Sequence, residues 1–177
     1  MSRHLFVAVT TAALFGSGLM AAPAGRADSS TTCFGRADIV QVVPGWSFEP
    51  TTGTGASVVD GTQDCTGPLE GHQPTGPVAT HHEFVYGQRR GSTCTDLDAK
   101  GWVDYSIPTV NGVVHIRNNF TATLHPASDP PGKSGTFDGD HDDGHFFLRP
   151  IEGDCVHSPL IRFEAAWIST WDSEPRR

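Results

Sequence analysis

A chain of 177 residues with 20 Asp+Glu against 12 Lys+Arg has a formal charge of −8, and 37% of it is hydrophobic. That length suits one domain. So acidic a balance repels phosphate backbones and anionic lipid, which argues against nucleic acid and membrane surfaces as partners; it promotes solubility and singles out no ligand.

Met-Ser-Arg-His precedes a mostly apolar run from Leu5 to Ala22, and small residues follow. This is the pattern of a secretory signal. Ala22-Pro23-Ala24 and Gly25-Arg26-Ala27 both fit the small-x-small cleavage rule. We take the second, which makes 1–27 the signal peptide and 28–177 the secreted domain. Gly16, Ser17 and Gly18 interrupt the run and argue against a retained anchor. No later stretch reaches the ~20 apolar residues needed to span a bilayer. Removing Arg3 and Arg26 lowers Lys+Arg from 12 to 10 against 20 Asp+Glu, so the mature charge is −10. The expectation is a freely released extracellular monomer, with no membrane span after cleavage and an unknown extracellular ligand as its partner.

Outside the signal no segment has helical periodicity. The 20 glycines and 13 prolines punctuate the chain at short intervals, as in an all-β domain rich in turns. In chain order, strands are predicted at Ala37–Val43 and Gly55–Asp60, then a long loop over 61–79 carrying Pro68, Pro74 and Pro77. Thr80–Gly87 follows. Trp102–Thr109 and Val113–Leu124 flank Asn111-Gly112, a pair that readily supplies the positive φ of a type I′ hairpin turn. On the second arm Val114, Ile116, Phe120, Ala122 and Leu124 share one face. Pro108 lacks an amide hydrogen and belongs at an edge or bulge. A second loop, 125–135, holds Pro130-Pro131. Ser134–Asp138 and His145–Arg149 are short strands. In the last, Ile161, Phe163, Ala165 and Trp167 alternate with Arg162, Glu164 and Ala166, and Trp171 continues the apolar phase. About eight antiparallel strands make a barrel or a sandwich; the small size and long final strand favour barrel-like closure.

Cys33, Cys65, Cys94 and Cys155 make an even count in an exported chain, so two disulfides are expected. Three pairings are possible. Sequential pairing, Cys33–Cys65 with Cys94–Cys155, is our choice because it ties the loop-rich front half to itself. Each bridge is worth about 3–4 kcal/mol in the chain-entropy picture. No two cysteines have C-x-x-C spacing, which disfavours a zinc cluster.

The stretch TFDGDHDDGH, 136–145, is the main candidate for metal chemistry. Asp138, Asp140 and Asp142 fall at positions 1, 3 and 5 of a calcium-loop template. The template then fails: Asp143 stands where the glycine belongs, and Arg149 where the bidentate glutamate belongs. A looser site of Asp138, Asp140, Asp142 and His145 could hold calcium, or zinc with help from His141. The plain alternative is a solvated turn. In THHEF, His81 and Glu83 share one strand face as a possible ligand pair, and His82, Phe84 and Tyr86 share the other. Its plain alternative is a polar outer face with His82 half-buried beside aromatics. No G-x-S-x-G elbow, dinucleotide fingerprint, phosphate loop or haem-attachment motif occurs. His157 lies near Asp154 in sequence, but proximity is not triad geometry, so no catalytic residue is assigned and no cofactor beyond a possible ion. Asn119-Phe120-Thr121 matches a glycosylation sequon in mid-strand. Trp46, Phe48, Trp102, Tyr105, Trp167 and Trp171 can build a core, or in part line a cavity at a barrel mouth.

The order of an early Cys33, VPGW (Val43–Trp46), a mid-chain Cys94, the Asn-Gly hairpin, GTFDGD (Gly135–Asp140) and FFLRPIEGDCVHSPLIR (Phe146–Arg162) resembles a group of small secreted actinobacterial β-proteins of unknown function. The GDC…SPL.R segment is its most specific part. The resemblance implies secretion, disulfides and an all-β domain, and carries no catalytic residue. The leading functional expectation is a non-enzymatic binding or surface-interaction domain. Its alternatives are a lipocalin- or avidin-like barrel holding a small apolar molecule, and a metal-binding protein using the 138–145 tip. A secreted hydrolase is the remaining reading.

Overall fold

A computed structural model describes residues 30–125 and 133–172. The signal 1–27 and the Pro130-Pro131 segment lie outside them. Nine strands run in chain order: β1 Thr31–Trp46, β2 Gly53–Val59, β3 Gly61–Cys65, β4 Val78–Tyr86, β5 Asp98–Thr109, β6 Gly112–Leu124, β7 Ser134–Gly139, β8 Asp142–Glu152 and β9 Leu160–Trp171. β2 and β3 lie end to end along β1, where Ile39 faces Val59 and Arg36 faces Thr62. They form one stave interrupted at Asp60. Each stave pairs antiparallel with the next, and β1 pairs β9 to close the ring. The result is a closed, eight-stave up-and-down barrel, an architecture that removes free sheet edges by closing on itself. Among the described residues no helix is long and apolar enough to cross a membrane.

All eight predicted strands are present, with three corrections. β3 occupies the start of the segment read as loop, because Cys65 faces Cys33 across β1 and holds that short run in register. β1 begins at Thr31, six residues before the predicted start. The β5–β6 hairpin has the predicted arms, but Thr109 pairs with Gly112, so Val110-Asn111 forms the turn. Gly112 takes the positive φ of 118°, and neither turn residue has one. The Thr109 hydroxyl closes this turn instead, donating to the Gly112 carbonyl and accepting from the Asn111 amide. Pro108 sits as expected: β4 pairing ends at Ser106, so its missing amide proton leaves no ladder bond unmade.

Inward side chains form two clusters. One, at the Trp46 end, contains Val42, Tyr86, Leu97, Leu124, Leu160 and Phe163. The other, at the Trp171 end, contains Cys33, Leu69, Val78, Ile107 and Ile116. Each disulfide serves one end. Cys33–Cys65 staples β1 to β3, with Cα atoms 4.1 Å apart. Cys94–Cys155 joins the loops after β4 and β8, with Cα atoms 6.0 Å apart. The β3–β4 loop folds back so that Leu69 is fully buried and plugs the Trp171 end. His141 Nδ1 lies 2.7 Å from Glu70 Oε1, which sets the plug against the β7–β8 turn. At Gly35 a Cβ atom would stand 1.8 Å from the Trp167 ring, so only glycine lets that indole lie against β1.

Candidate functional site

Strand alternation sends every second side chain into the barrel. Three of those positions are alanine: Ala99, Ala122 and Ala165. They leave a cavity of about 100 Å³ between the two clusters. Its walls are aromatic, with Phe84, Phe120, Phe137, Phe146 and Phe163 joined by Trp46 and Trp167. Phe84, Phe120, Phe137 and Phe146 point inward yet are only half-buried, because they face this open space.

The polar groups at the cavity are few. Asp142, the first residue of β8, is fully buried and borders it. Tyr105 Oη donates to Asp142 Oδ2 at 3.2 Å, and Asn118 Nδ2 donates to Oδ1 at 2.5 Å. Asn118 is itself fully buried, and its Oδ1 accepts the His141 amide. Gly139 makes this possible, since a Cβ there would stand 2.7 Å from Asn118 Nδ2 and 2.8 Å from Asp142 Oδ1. Burial pushes the Asp142 carboxyl up to about 6, against the opposing pull of Tyr105, Asn118, the His82 charge and Ser169. His82 lines the same cavity from β4, edge-on to Trp167 at 5.2 Å and to Phe120 at 6.2 Å. Trp167 Nε1 donates to the buried Gln63 Oε1 at 3.0 Å, fixing the indole as a wall.

The structure splits the tip residues: Asp138 and His145 line one groove on the outer wall together with Asp143, while Asp140 and Asp142 lie apart from it. β7 runs to Gly139 and β8 starts at Asp142, so only Asp140-His141 forms the turn. Asp142 points into the barrel, whereas Asp138 and His145 lie exposed on its outer wall. Asp140 is also exposed and accepts from Asn119 Nδ2 at 2.7 Å. A strand's alternating faces thus separate Asp142 from His145. Among the described residues no three His, Cys, Asp or Glu side chains come together to hold a metal ion. The His81–Glu83 pair does form, at 3.6 Å on the outer wall, with Asp60 closer at 2.6 Å. The Asp60 hydrogen bond holds the His81 ring above its ordinary range despite partial burial. His82 is half-buried among aromatics. Trp102 is an outer-wall residue under the Arg117 guanidinium, 3.9 Å from its ring, and Phe48 is exposed. His157 and Asp154 pair at 2.7 Å in an exposed turn, where the amides of Val156 and His157 also converge on Asp154.

Asn118 and Tyr105 as partners of a buried carboxylate went unread in the sequence. The signal was present for Asn118, a polar residue in the inward phase of β6. Nothing in the sequence placed Asp142 opposite it, 24 residues away. No protein-family model, curated protein or solved structure matches this chain.

Proposed function

We propose that this is a secreted binding protein that encloses a small, largely apolar molecule inside the barrel. The observation that carries the reading is the aromatic cavity between two well-packed clusters. Protein interiors are normally packed like organic crystals. Leaving such a space open forfeits contacts on the order of 2–5 kcal/mol. An enclosed ligand would restore those contacts. At about 100 Å³ the cavity suits a molecule no larger than a single small ring. Two disulfides support an oxidising, extracellular address. The same cavity favours an enclosed ligand over capture on the outer surface.

Trp46 and Trp167 face the space and report on it. Titration with benzene or toluene should shift or quench tryptophan emission saturably. Ala122→Phe, which fills the space, should abolish the response while the circular dichroism spectrum stays that of a β protein. Ala165→Leu serves as a second, milder filling variant. No response at ligand saturation, or the same response in both filled variants, would refute the reading.

A further inference from the structure

The cavity wall is apolar with one exception. Among the described residues, Trp46, His82, Tyr105, Asp142 and Trp167 are the lining residues that carry a side-chain nitrogen or oxygen. Four of them keep those atoms away from the space. Asp142 and Tyr105 are buried and hydrogen-bonded to each other, Trp167 is buried and donates to Gln63, and Trp46 Nε1 is enclosed. His82 differs. It stands in the inward phase of β4, between Thr80 and Phe84, yet is only half-buried. An inward side chain in the middle of a barrel strand is uncovered only toward the interior. The uncovered part of the imidazole therefore faces the cavity, as does that of Phe84. The residue is held in place: Ser57 Oγ accepts the His82 amide at 3.0 Å, and the ring stands edge-on to Trp167 and Phe120.

Resting on the enclosed-ligand reading, we propose that the barrel selects a neutral single-ring molecule bearing one hydroxyl, of the phenol class: the ring packs on the phenylalanine walls and the hydroxyl bonds to His82. A hydroxyl both donates and accepts, so it suits either role of the imidazole edge. The space admits little beyond one ring, so the polar group is small. Charge disfavours the neighbouring classes. A carboxylate of the same size would stand close to the buried Asp142 carboxylate, and an ammonium would meet the His82 charge that already acts on Asp142. A hydroxyl enters an apolar space readily only if it is bonded there, and an unpaired one costs on the order of tenfold in affinity.

The test measures phenol and toluene, which differ by a hydroxyl in place of a methyl, by calorimetry at pH 7.5 on the oxidised mature protein. Phenol should bind at least as tightly as toluene. His82→Leu, an apolar replacement of comparable size, should weaken phenol about tenfold and leave toluene within about threefold. A merely structural role for His82 would move both probes together. Toluene binding more tightly than phenol in the unaltered protein, or a phenol-to-toluene ratio unchanged in His82→Leu, overturns the hydroxyl inference and leaves the enclosed-ligand reading intact. Binding of neither probe overturns both. Should the variant not fold, the order of the two affinities in the unaltered protein decides.

Discussion

Replacing Asp142 with asparagine should stabilise the unliganded protein at neutral pH and leave it unchanged in acid. The carboxyl is raised from 3.8 to about 6 in the folded barrel, chiefly by burial. Below pH 3.8 both folded and unfolded chains hold the proton, and no penalty applies. Between the two values the folded state binds more protons, so stability falls as pH rises. Above 6 the loss is complete, and a rise of that size corresponds to about 3 kcal/mol. Asp142 is fully buried, so water does not screen the effect away. The introduced amide keeps both hydrogen bonds, since its oxygen can accept from Asn118 and its NH2 can donate to the Tyr105 hydroxyl. Urea unfolding of both proteins at intervals from pH 3.5 to 8, followed by circular dichroism, isolates the contribution of this carboxyl by subtraction. Groups shifted the other way, such as Asp104 beside Arg117, cancel in the difference. The stability gap should open by about 2–3 kcal/mol between pH 4 and 7. Parallel curves for the two proteins would sink the argument that this carboxyl titrates against a burial cost.

Asn118→Leu removes the closest donor to Asp142 and should push its carboxyl further above 6, read from the side-chain carbon shift in an NMR titration; an unmoved midpoint contradicts the assigned hydrogen bond. Gly35→Val places carbon where the Trp167 ring lies and should cost about 1–3 kcal/mol or more, with loss of near-ultraviolet circular dichroism; a native spectrum and Tm would show the indole is not held there. Cys94→Ser with Cys155→Ser should lower stability by about 2–4 kcal/mol in denaturant while the barrel persists, and peptide mapping of the oxidised protein should recover Cys33–Cys65 and Cys94–Cys155 alone.

Period-two patterning exposed most of the architecture to inspection. In β9, Phe163, Trp167 and Trp171 are buried in the predicted phase, although at its start Leu160 rather than Ile161 is buried. In β6 the inward set is the predicted one with Asn118 added. Local chemistry misled where a distant contact prevailed. β3 is held by a disulfide partner 32 residues away, and no short-range signal distinguishes it from loop. Trp102 has the size of a core residue, but its place in the alternation of β5 sends it outward beneath Arg117. The acidic tip misled for a related reason. Asp138, Asp140 and Asp142 are evenly spaced along the chain, yet a two-residue turn between pleated strands directs only Asp142 inward.

The amino-acid order by itself determined an all-β chain, eight of its nine strands, the even cysteine count and most of the inward faces, because these follow from side-chain period, turn chemistry and composition acting over a few residues. Tertiary structure alone decided that β1 closes on β9, that three alanines from three strands leave a shared space, and that Asp142 meets Tyr105 and Asn118 there. Those outcomes depend on barrel stagger, which sets residues tens of positions apart at the same height, and stagger is a property of the closed sheet rather than of any strand within it.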